Sequence, residues 1–111
     1  MTHPLDDEAR EQSARAEQLR AKVSAARLRK DVQTTLATEE GRRLVWLFLQ
    51  TAGIDYSPFR ADPVAMAHAV GWQDAGSFWL ALIRSHCPER EAQMRNEAKR
   101  DAQRDEAIND D

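Results

Sequence analysis

Cysteine is nearly missing from this chain. The single Cys87 excludes an internal disulfide and fits a reducing compartment. Glycine and proline are also scarce, four of each in 111 residues, so few positions are marked for helix breaks. The longest apolar run, Leu44 to Leu49, is far short of the roughly 20 residues that span a bilayer. Neither sign of charge dominates. With 16 Lys and Arg against 19 Asp and Glu, the net charge is −3, which makes the whole chain a poor electrostatic ligand for nucleic acid or an anionic membrane. The N-terminus, Met1 to Arg10, is acidic and lacks the basic-then-apolar layout of a signal peptide. The expectation is a soluble chain, cytosolic where it is made.

Aromatic residues are absent from both ends. Trp46, Phe48, Tyr56, Phe59, Trp72, Phe78 and Trp79 all fall in the middle. This shift divides the chain into a charged N-terminal arm (1–37), a compact aromatic-rich module (38–88) and a charged C-terminal helix (89–111) with a frayed end at Asn109-Asp110-Asp111. A unit as short as residues 38–88 buries little surface by itself, so the arms, a second copy or a partner should complete it.

What is present reads as helix throughout. Asp6 to Lys30 has no Gly or Pro, with acidic residues leading and basic ones closing, in the order that complements the helix dipole. Leu5, Ala9, Ala16, Leu19, Val23 and Ala26 recur at three- and four-residue spacing, a thin stripe interrupted by Gln12. In the centre, Thr38 caps a helix that Gly53 ends. Leu44 to Leu49 is apolar all round, which predicts burial on most sides. Asp62-Pro63 opens a short helix that stops at Gly71. Asp74 caps the next, which Cys87-Pro88 ends at His86. Tyr56 and Phe59 should pin the loop from Ile54 to Ala61. Pro88 opens the last helix, whose apolar stripe fades after Met94 and Ala98. The fold class is all-α: a small helical domain of about three central helices, flanked by long charged N- and C-terminal helices.

The stretch His68 to His86 could deliver a recognition helix to DNA. Val70-Gly71-Trp72, Asp74 and Ser77-Phe78 resemble the second helix-turn-helix of arabinose-regulator-type activators. Base readout needs forked donors at the helix start, and phosphate binding needs several cations. Here Arg84 is the only charge after Asp74 on that helix, and Phe78, Leu82 and one or both of Trp79 and Leu80 are expected to fill a core. A DNA-binding regulator using residues 63–86 therefore stands second.

Metal and enzyme chemistry find little support. His68, His86 and Cys87 lack any CxxC or HExxH spacing, and no Gly-rich phosphate loop or nucleophile elbow occurs. The expectation is no catalytic residue, no metal and no cofactor. For partner contact the candidates are Arg42, Arg43, Tyr56, Phe59 and Trp72, because Arg forks and aromatic rings carry interface energy.

The ordered set Glu40-Gly41-Arg42-Arg43-Leu44-Val45-Trp46, Leu49-x-x-Ala52-Gly53, Ser57-Pro58-Phe59, Gly71, Gly76, Cys87-Pro88-Glu89, Met94 and Glu97 resembles a family of short proteins encoded among the virion genes of short-tailed phages (podovirus type). The resemblance covers about residues 38–97 and departs at Trp72-Gln73-Asp74. It implies a virion structural or assembly component of the head or head–tail region, not an enzyme. The implied partners are a portal, capsid or tail component, or sister copies in a homo-oligomer. The implied location is the virion, and the host cytoplasm during assembly. A host-directed inhibitor protein is a further alternative.

Overall fold

The structure, a computed structural model, describes residues 4–109. It contains α1 (Pro4–Thr35), α2 (Glu39–Thr51), α3 (Pro63–His86) and α4 (Glu89–Asn109), with no strand among the described residues. The protein is all-α. Asp110 and Asp111, where fraying is expected, lie outside the described residues. The chain divides into two compact units, one ending at Asp31 and the other beginning at Val32.

The first unit is a single helical segment. Pro4 stands at its start, where a missing N–H costs nothing, and no further proline or glycine interrupts it. Every described residue up to Asp31 is exposed.

The second unit combines the last turn of α1 with α2, α3 and α4. Its core is one cluster of Val32, Leu36, Leu49, Ile83, Cys87 and Met94. Leu36, Leu49 and Ile83 are wholly removed from solvent. Each fully buried aliphatic side chain of this size contributes about 1.5–3 kcal/mol. The core crosses both limits of the expected 38–88 module, since Val32 and Leu36 precede it and Met94 follows it. An aromatic count could not find this, because the residues that complete the centre are aliphatic.

The local punctuation follows the sequence at most ends. The Thr38 hydroxyl accepts from the Gly41 amide at 3.1 Å, and the Asp62 carboxylate accepts from the Ala65 amide at 2.9 Å. Gly53 takes φ +71° just past α2, a conformation other residues rarely adopt. Cys87 caps the end of α3.

Three expectations about the centre are corrected. First, the break foreseen at Gly71 to Asp74 does not occur: α3 is continuous from Pro63 to His86, and Asp74 lies mid-helix. The inward face made by Ala69, Gln73, Gly76, Leu80 and Ile83 keeps helical spacing through that region, so packing holds the helix together against the propensity cost of one glycine. Second, α2 is not buried on most sides. Leu49 is fully buried, Val45, Trp46 and Phe48 are half-buried, and Leu44 and Leu47 are exposed by 69 % and 63 %. Third, Phe78 does not fill the core: on a continuous α3 it points away from the Gly76–Leu80–Ile83 face and is 64 % exposed. Leu80 is buried, and Trp79 and Leu82 pack partly against the core.

Candidate protein-docking site

The loop between α2 and α3 sets the geometry of the candidate surface. Tyr56 and Phe59 were expected to pin it, yet both rings are 71 % exposed. Polar bonds hold it instead. Gln73 on α3 donates from Nε2 to the carbonyls of Gly53 at 3.2 Å and Tyr56 at 2.7 Å. Asp55 accepts a fork from Arg95 on α4 at 3.0 and 3.1 Å, and Gln50 donates to it at 3.4 Å. Hydrogen bonding to Arg95 lowers the Asp55 pKa from its ordinary value, against the opposing effect of burial.

The same Arg95 guanidinium lies 5.0 Å from the centre of the Trp46 ring and donates to Glu91 at 3.3 Å. Glu91 also accepts two bonds from Arg84, at 2.7 and 3.0 Å, which are the main reason its pKa falls below the ordinary value. One network therefore joins the loop, α3 and α4, and fixes how the loop is presented.

Trp72 lies at the centre of the aromatic surface. Its Nε1 donates to His68 Nε2 at 3.0 Å, one turn earlier on α3, and its ring sits 6.2 Å from Phe48 on α2. This Trp–His pair lines two depressions. One, of about 410 Å³, is floored by Phe48, Gly71 and Ala75; the other, of about 770 Å³, is lined by the loop and includes Tyr56, Arg60 and Gln73. Leu44 and Phe78 are large exposed apolar side chains on α2 and α3, while exposed Leu47 lines a separate depression between α2 and α4. Phe78 shares its turn of α3 with Leu80 and lies on the opposite face, so only the position of the neighbouring helices decides which of the two is covered. Gln73 carried no sequence signal, because its partners are carbonyls in a distant loop.

The five candidate partner residues do not form one site. Tyr56 and Trp72 share the larger depression. Phe59 is exposed on the loop. Arg43 is exposed on α2, beside Glu39 at 3.3 Å and Asp101 at 3.7 Å. Arg42 is corrected: it is buried, and its guanidinium donates to Glu97 on α4 at 2.6 Å and to the Leu36 carbonyl at 3.0 Å. An Arg so committed inside the unit is a structural strut between α2, α4 and the end of α1. Glu39, which accepts from Arg100 on α4 and Arg43, has its pKa lowered chiefly by the Arg100 hydrogen bond.

Of the three candidate metal ligands, His68 is engaged with Trp72, and Cys87 is a buried free thiol whose pKa is raised by burial. Among the described residues, no group of three or more His, Cys, Asp or Glu side chains could hold a metal ion. Nor is any helix of the described residues long and apolar enough to cross a membrane. Compared with known proteins, the chain matches no family model, no curated protein and no solved structure.

Proposed function

We propose that this chain is a non-catalytic assembly protein that docks an apolar segment of a partner protein on the α2–α3 face around Trp72. One observation carries the reading: Trp72 of α3 and Phe48 of α2, with ring centres 6.2 Å apart, line one depression with Gly71 and Ala75, and Leu44 and Phe78 are each more than 60 % exposed on the same two helices. An open apolar depression walled by aromatic rings suits a protein contact, because its apolar surface gains by leaving water. Depressions beside an aromatic anchor suit a helix or extended segment inserting its own apolar side chains. The resemblance to short-tailed phage virion proteins directs the search for that partner to portal, capsid or tail components.

The test combines mass spectrometry of purified virions with capture of virion proteins on the immobilised full chain. Presence in particles and capture of one structural protein are expected. Leu44→Ser with Phe78→Ser should weaken capture about tenfold or more while leaving thermal stability within roughly 0.5 kcal/mol per site, since both residues are exposed. Absence from virions and from assembly intermediates would remove the phage assignment. A sequence-dependent shift of duplex DNA at about 150 mM salt would transfer the chain to the regulators.

A further inference from the structure

α1 up to Asp31 carries a seam. Leu5, Gln12, Leu19 and Ala26 repeat every seven residues, and Ala9, Ala16, Val23 and Lys30 repeat every seven residues, each four after the corresponding member of the first set. These are the d and a positions of a heptad pattern. Along the seam every side chain is exposed, with Leu19 at 63 % and Val23 at 49 %. A long helix draws most of its stability from packing one face, so this seam calls for an occupant.

The charges beside the seam identify it. Asp6 and Glu8 flank the N-terminal half, while Arg20, Lys22, Arg27 and Arg29 flank the C-terminal half. A parallel pair of such helices would set Arg15 against Arg20 and Lys22 against Arg27, cation against cation on both sides. An antiparallel pair sets Asp6 against Arg27 and Glu8 against Arg29, twice each by symmetry. Its like-charged meeting, Arg15 with Lys22, likewise occurs twice, and Arg15 already has Glu11 at 3.7 Å on its own helix.

The apolar register agrees. With Ala16 of one chain facing Leu19 of the other, Ala9 faces Ala26 and Gln12 faces Val23. Each large residue then meets a small or unbranched one, and alanines let the backbones approach closely. We infer that α1 pairs antiparallel with α1 of a second copy of this chain, in this register, through residues 5–30. The pairing is independent of the α2–α3 docking face and could stand if that face took no partner.

Sedimentation equilibrium of the full chain, with helicity followed by circular dichroism, tests it. The expected result is a reversible monomer–dimer equilibrium. Asp6→Lys with Glu8→Lys, and separately Arg27→Glu with Arg29→Glu, should each weaken dimerisation about tenfold or more, as attractive pairs become repulsive. Mixed in equal amounts, the two variants regain complementary flanks and should form a 1:1 heterodimer. A wild-type chain that stays monomeric up to about 1 mM overturns the inference. So does a mixture that fails to associate. Tighter self-association of the Arg27→Glu, Arg29→Glu chain also overturns it, since that change would relieve the Lys22 repulsion of a parallel pair.

Discussion

Arg42 on α2 holds Glu97 on α4 at 2.6 Å, with side chains only 10 % and 16 % exposed. A second donor of the same guanidinium satisfies the Leu36 carbonyl at the end of α1. One buried cation thus fastens three helical segments. Removing it alone leaves both a carboxylate and a carbonyl without their partner. Arg42→Met should therefore destabilise the unit by about 3–5 kcal/mol, and Arg42→Met with Glu97→Met should recover much of that loss, because an apolar pair leaves no charge buried. Chemical denaturation of the two variants measures the difference. Equal stability of single and double variants would mean the pair is not coupled.

Two glycines on α3 should respond in opposite directions. A Cβ at Gly71 would meet nothing within 4 Å, so Gly71→Ala should stabilise the protein by about 0.5–1 kcal/mol through helix propensity. At Gly76 a Cβ would stand 2.7 Å from Ala52 Cβ and from Ile54 Cγ2, so Gly76→Ala should lower the thermal midpoint by forcing α3 away from α2. Thermal unfolding reads both. Destabilisation at Gly71 would indicate a turn there in place of the continuous helix.

Acid should weaken the second unit through its carboxylates. Asp55 and Glu91 both have folded pKa values below their ordinary 3.8 and 4.5, because Arg95 and Arg84 hold the charged forms. The unfolded chain therefore takes up these protons first as the pH falls. Their contribution is full above the ordinary values and disappears as the pH drops through the lower folded-state values. The thermal midpoint should decline below about pH 4.5. Asp55→Asn with Glu91→Gln should be less stable at neutral pH and decline less steeply in acid. An acid slope identical to that of the unaltered chain would exclude these two groups as its source.

Truncation should have a sharp limit. Deleting residues 1–21 removes no member of the core cluster, so the cooperative transition of the second unit should persist with its midpoint nearly unchanged. Deletion through Leu36 removes Val32 and Leu36, two core members, and should abolish cooperative unfolding. Calorimetry of the two shortened chains distinguishes these outcomes. Loss of the transition in the shorter deletion would mean the first unit supports the second.

Local chemistry was legible from the residues alone. The absence of glycine and proline over Asp6 to Lys30, the caps at Thr38 and Asp62 and the stop at Gly53 each act within a few positions, so the sequence determined the helical class and most helix ends. The thin apolar stripe of α1, recurring at three- and four-residue spacing, was visible for the same reason. Tertiary structure decided whatever depends on distant partners. Gly71 and Asp74 look like a break locally, but a continuous inward face from Ala69 to Ile83 carries α3 straight through. Arg42 reads as surface until Glu97 and the Leu36 carbonyl meet it inside. Leu44, Leu47 and Phe78 read as core until α2 and α3 find their mates on other faces and leave these side chains in water. Hydrophobicity marks a side chain as able to be buried; which face is buried depends on where the neighbouring helices stand.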